Sequence, residues 1–151
     1  MEKLRNVHFH IIFAIHNLQM KEPKTIYLAD DDQDDRYFLR QAMKAANAST
    51  EIIEVENGLE LITVMKKQPG PQASLILMDM NMPKMNGLET IAAIRADTAL
   101  STVPVVMIST SSNSSLIEMA YEAGADSFIT KPSTFEEFNQ LGVQLTEKFL
   151  S

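Results

Sequence analysis

The sequence predicts an α/β fold, one domain in which five short parallel strands are covered on both faces by five helices. Three observations predict it. Apolar runs of strand length recur at Thr25 to Ala29, Ile52 to Val55, Leu75 to Met78, Val103 to Ile108 and Asp126 to Thr130, each followed by a stretch of helical period. The third run, Leu75-Ile76-Leu77-Met78, has no polar interruption, as expected of a strand buried on both faces. Four of the five runs end in polar residues with chemistry to offer: Asp30-Asp31, Asp79, Ser109 and Lys131. Strand–helix–strand connections of this kind cross over right-handedly, so all these ends are expected along one edge of the sheet.

The elements follow in order. Thr25-Ile26-Tyr27-Leu28-Ala29 is the first strand, and the acids after it suit the positive end of a helix whose apolar face is Phe38, Leu39, Ala42, Met43 and Ala46. Ile52 to Val55 is the second strand. Asn57-Gly58 turns the chain into a helix with Leu59, Ile62 and Met65 on one side, closed by Gln68-Pro69-Gly70-Pro71. After the third strand and its Met82-Pro83 turn, a helix is expected from about Leu88 to Arg95. The fourth strand leads to Ser109-Thr110-Ser111-Ser112, then to a helix near Leu116 to Ala123 that stops at Gly124. The fifth strand ends at Lys131-Pro132, and Thr134 with Glu137 reads as a capping box for a last helix reaching almost to Ser151.

Bulk properties narrow the function classes. A chain of 151 residues buries a core without staples, and the absence of Cys removes disulfides, thiolate catalysis and Cys-based zinc. That absence is compatible with a reducing compartment, and a cytoplasmic location is the expectation. A net charge of −7 with no basic stripe argues against non-specific nucleic-acid binding. Residues 1–22 read as an N-terminal extension, loosely ordered or serving as an extra packing segment, and 23–151 as the domain. Val7 to Leu18 is apolar but broken by His8, His10 and His16, and it is shorter than the roughly 20 residues of a membrane span. The histidines do not share a helical face, which argues against a metal site. Met20 is a candidate biological start, which N-terminal sequencing of protein from its own cell tests.

If the strand ends share one edge, Asp30, Asp31 and Asp79 crowd into the crevice where the winding reverses. Lys131 cancels one of three charges, and a divalent cation would bring the remaining formal −2 to neutral. Oxygen donors without Cys or His favour Mg²⁺. A hard cation, a carboxylate nucleophile, an ammonium and a hydroxyl together suit phosphoryl transfer. Each residue taken singly is an ordinary strand-ending polar group. Their joint occurrence at four of five strand ends favours a site. Asp30-x-Asp32-x-Asp34 resembles the start of an EF-hand loop, but Asp35 and Gln41 stand where that loop needs Gly and Glu. The same acids resemble the nucleophile motif of haloacid-dehalogenase-like phosphatases. That reading stays a distant rival, because Glu136, Glu137 and Glu147, the acids after Lys131, all fall on the expected last helix.

Over roughly Lys24 to Leu150, the chain closely resembles the receiver domain of two-component response regulators. The resemblance is carried by Asp30-Asp31, by Asp79-x-x-Met82-Pro83-x-x-x-Gly87, by Ser109 and by Lys131-Pro132. It implies a doubly wound, flavodoxin-like sheet of strand order 2-1-3-4-5. It implies that Asp79 accepts a phosphoryl group from a phosphohistidine on a histidine kinase or phosphotransfer protein. Mg²⁺ would be bound by Asp31, Asp79 and the backbone carbonyl of Asn81, with Asp30 holding its water shell. Lys131 would pair with the carboxylate and then with the phosphoryl group. Ser109 would bond a phosphoryl oxygen, and its inward shift would let Phe128 turn in behind it as the switch aromatic. Phe128 lacks the hydroxyl of the Tyr often found there, which puts a hydroxyl-mediated partner contact in doubt; a plain packing role is equally open.

Phosphorylation adds about −1.5 to −2 charge, enough to bias a small two-state surface on the fourth helix and fifth strand. The expected protein is a stand-alone switch with weak self-dephosphorylation rather than a turnover enzyme, acting on a downstream target or in a relay. Two rivals are an interaction module with a decayed site and a Mg²⁺-dependent small-molecule phosphatase or phosphotransferase. Retention of Asp31, Asp79, Ser109 and Lys131 together disfavours the first, and the lack of an enclosing lid disfavours the second.

Overall fold

Because every side chain of Leu75–Asp79 is buried, this segment needs a layer on each face, and it occupies the middle of the sheet. The computed structural model describes residues 3, 5–8, 10–11, 23–67 and 73–151. Strands β1 (Thr25–Ala29), β2 (Glu51–Val55), β3 (Leu75–Asp79), β4 (Val105–Ser109) and β5 (Ser127–Thr130) alternate with five helices. These are α1 (Gln33–Ala46), α2 (Gly58–Lys67), α3 (Gly87–Ala96), α4 (Ser114–Ala123) and α5 (Phe135–Phe149). All pairings are parallel, in the order β2-β1-β3-β4-β5. The winding therefore reverses between β1 and β3, and that is where a crevice opens at the carboxyl edge.

Strand alternation sorts the core into two layers. Ile26, Leu28, Leu75, Leu77, Val106 and Ile108 pack with Leu39 and Met43 of α1 and with Phe138, Leu141 and Leu145 of α5. Tyr27, Ala29, Ile76, Met78, Val105 and Met107 pack on the other face with Leu61 and Met65 of α2, Ile91 and Ile94 of α3 and Ala120 of α4. Burying one such side chain contributes about 1.5–3 kcal/mol, against about 1 kcal/mol for a helix cap. The layers therefore fix the fold, and the caps set where each helix begins.

Asp32 caps α1 by accepting from the N–H groups of Asp34 and Asp35, and Asn57 does the same for Glu60 at the start of α2. Asn86 and Glu89 form a full capping box on α3 that was not anticipated. The box expected on α5 is only half formed. Thr134 accepts from the Glu137 N–H at 3.1 Å, but the Glu137 carboxylate accepts from the Ser133 N–H at 3.0 Å instead of reaching back to Thr134. Leu59 also departs from expectation. It is 56 % exposed, and the buried face of α2 is Leu61 and Met65 with Ile62 half-buried, because the helix begins at Gly58 and turns Leu59 outward. Gly124 ends α4 at φ 111°, a left-handed conformation that a residue without Cβ adopts without strain.

Ahead of the sheet, Lys3, Arg5 to His8, His10 and Ile11 are helical and exposed, an addition to the five alternating helices. His16, Met20 and the Gln68 to Pro71 helix stop lie outside the described residues. No described helix is long and apolar enough to cross a membrane.

Candidate functional site

Asp30 leaves β1 still in register, its N–H bonded to the Val55 carbonyl at 3.1 Å, and its side chain is buried at 1 % exposure. One carboxylate oxygen accepts from the Asp32 N–H at 2.9 Å, an Asx turn that bends the chain toward α1. Asp79 ends β3 on the neighbouring strand, buried, with Oδ1 accepting from the Asn81 N–H at 3.2 Å. Asp31 is exposed beside them. Carboxylate oxygens of Asp30, Asp31 and Asp79 all lie within 4.8 Å of one another.

Lys131 follows β5, and its backbone N–H donates to the Ser109 carbonyl at 2.8 Å, so the ends of β4 and β5 are tied. Its Nζ reaches Asp30 at 3.0 Å, Asp35 at 2.7 Å and Asp79 Oδ2 at 3.2 Å. Ser109 is fully buried at the end of β4, its Oγ accepting from the Ser111 N–H at 3.2 Å. The loop after β3 is held close to the sheet. The Gly87 N–H bonds the Met80 carbonyl at 3.0 Å, and a Cβ on Gly87 would stand 2.7 Å from the Asp79 carbonyl oxygen. Glycine is needed there because α3 starts in contact with the backbone that presents Asp79.

Electrostatics follow from this crowding. Burial pushes the Asp30 carboxyl up to about 6, with the charge of Asp79 adding to the rise, against the opposing pulls of the Asp32 N–H and of Lys131. Burial alone would lower Lys131, but the hydrogen bonds it donates to Asp35 and Asp30 and the charges of Asp30 and Asp79 outweigh it and hold the ammonium well above its ordinary range. The donor set is oxygen only, which suits a hard divalent cation such as Mg²⁺. Asp35 is a fourth carboxylate, so with one ammonium the formal charge is −3 and not the expected −2. One divalent cation leaves it at −1.

The model of the response regulator receiver domain matches residues 26–141 of the chain. The chain belongs to the response regulator receiver family. Response regulator Rcp1 of Synechocystis sp. is 30% identical over 131 residues, covering 84% of this chain and 88% of the relative. Chemotaxis protein CheY1 of Helicobacter pylori is 28% identical over 109 residues, 72% of this chain and 86% of that one. Among solved structures, the phosphorylated cyanobacterial phytochrome response regulator RcpA superposes with a TM-score of 0.79 at 29% identity, covering 85% of this chain and 95% of that one. The Mn(2+)-bound form of Rcp1 gives 0.76 at 27% identity, over 85% and 96% of the two chains.

Receivers are signalling switches of two-component systems, and this one brings Asp30, Asp31, Asp79 and Lys131 into one pocket. Ser109 stands beside it at the end of β4, and Asn81 lies two residues past Asp79 with its N–H on that carboxylate. Phe128 sits apart on β5, half-buried against the α2–α4 layer, its N–H donated to the Tyr121 hydroxyl at 3.1 Å. Asp35 is the contact that sequence reasoning missed, since it was read only as an acid at the helix start. The available signal was its place in the first turn of the helix that opens directly after Asp30-Asp31, which keeps it near the same edge.

Proposed function

We propose that this receiver is a Mg²⁺-dependent switch phosphorylated on Asp79. The observation that carries the reading is the ammonium of Lys131 at 3.2 Å from Asp79 Oδ2, inside a pocket where Asp30, Asp31 and Asp35 also converge. Asp30, Asp31, Asp79 and the Asn81 carbonyl would hold the cation, which when bound neutralises charge on the transferring oxygens. A carboxylate oxygen of Asp79 forms the new O–P bond as the N–P bond of a donor phosphohistidine breaks. The leaving imidazole nitrogen keeps the electron pair. Lys131 offsets charge on the transferred group, and the Ser109 hydroxyl, whose oxygen already accepts from Ser111, donates its proton to a phosphoryl oxygen. Slow attack of water on the phosphorus of the acyl phosphate breaks the O–P bond, releases inorganic phosphate and returns the resting carboxylate.

The reading gives the protein a histidine kinase or phosphotransfer protein as donor and a target protein as receiver of the signal, both met in the cytoplasm. The output surface is α4 and β5. Ser109 is bound through its carbonyl to Lys131, so movement of either shifts the end of β5 and the packing of Phe128.

Incubation with acetyl phosphate and Mg²⁺, followed by intact mass, tests this. One phosphoryl group on the wild type and none on Asp79→Ala is the expected result. No addition to the wild type favours a decayed module, and rapid turnover of unrelated phosphate esters favours a small-molecule enzyme.

A further inference from the structure

An ammonium has three N–H donors. All three of those on Lys131 are taken, by Asp35 at 2.7 Å, Asp30 at 3.0 Å and Asp79 at 3.2 Å. A phosphoryl oxygen arriving on Asp79 can be bonded by Lys131 only if one acceptor is given up. Asp79 is the reacting group and stays. Asp30 has 2 % side-chain exposure, so releasing it would leave a buried carboxylate without its counter-charge. Asp35 has 27 % side-chain exposure and stands in the first turn of α1, where water and the helix dipole accommodate a freed carboxylate at low cost.

We propose that Asp35 is a positioning residue that occupies Lys131 in the resting state and is displaced by the phosphoryl group, so that it slows phosphorylation of Asp79. The inference rests on the phosphoryl-acceptor reading above.

The test compares Asp35→Asn with Asp34→Asn. Both remove one acid from the same first helical turn, but Asp34 is exposed and is not among the three partners of Lys131. With acetyl phosphate and Mg²⁺, Asp35→Asn is expected to be phosphorylated roughly two- to fivefold faster than Asp34→Asn, the scale of one partly exposed ion pair. Asp35→Glu, which keeps the carboxylate, stays closer to wild type. Asp35→Ala serves as a second variant with the same expectation, and a thermal melt confirms that each is folded. A second readout needs neither phosphate nor metal. The Lys131 ammonium proton exchange, followed by NMR in the metal-free protein, should quicken in Asp35→Asn and not in Asp34→Asn. Equal or slower phosphorylation of both Asp35 variants, or unchanged exchange, overturns the inference. A wild type that takes up no phosphoryl group instead overturns the proposed function, while the exchange measurement still decides whether Asp35 holds Lys131.

Discussion

Asp30 has the least solvent access of the four pocket acids and the most to lose from carrying charge. Its carboxyl titrates at about 6 in the folded protein against 3.8 for an ordinary Asp, so the folded chain holds that proton more tightly than the unfolded chain does. The stability it contributes is therefore fully present below about pH 4 and is lost as pH rises through about 6. In EDTA, wild type should lose stability relative to Asp30→Asn over that window, by on the order of 1–3 kcal/mol, and the difference should level off near neutrality. Urea unfolding of the pair at pH values across the window measures it, and a flat difference refutes it. Under the proposed function a divalent cation competes with the same proton, so a metal-free pocket is the costly state at neutral pH.

Among the elements, β5 is one of the two edge strands of the sheet, paired only with β4. Its Phe128 N–H points away from β4 and would have water as its partner if the Tyr121 hydroxyl of α4 did not accept from it. That bond joins the two elements of the proposed output surface. Tyr121→Phe should speed amide exchange at Phe128 about fivefold, the equivalent of about 1 kcal/mol of hydrogen bond. Amides of β3, buried in the sheet centre, should be unaffected, and NMR exchange rates read both. Capping explains what composition could not. Asn86 with Glu89 is legible as Asn-x-x-Glu directly after the Met-Pro turn, and both halves of the box form. At Thr134–Glu137 the same spacing reaches only half the motif, because Ser133 takes the glutamate.

For the whole molecule, the acid cluster is a local excess within a chain of net charge −7. A cation that binds only the folded state stabilises it by mass action, about 2.7 kcal/mol at a hundred times its Kd. For a domain of this size Mg²⁺ should then raise Tm by on the order of 5–10 °C, and Asp31→Ala should remove most of the increment. A melt with Mg²⁺ and with EDTA tests it, and an equal shift in both proteins would sink the proposed coordination. The pocket draws on the ends of β1, β3, β4 and β5, so it forms only when residues from Asp30 to Lys131 fold together.

Period and punctuation in the sequence determined the alternation of strands and helices, the burial of β3 and the placement of Asp30, Asp31, Asp79, Ser109 and Lys131 at strand ends, because apolar runs and turn residues act within a few positions of themselves. The tertiary structure alone decided which acids Lys131 touches. Distances across strands and helix starts depend on how layers pack, and Asp35, 96 residues away in the chain, comes within 2.7 Å only once α1 and β5 lie on the same edge.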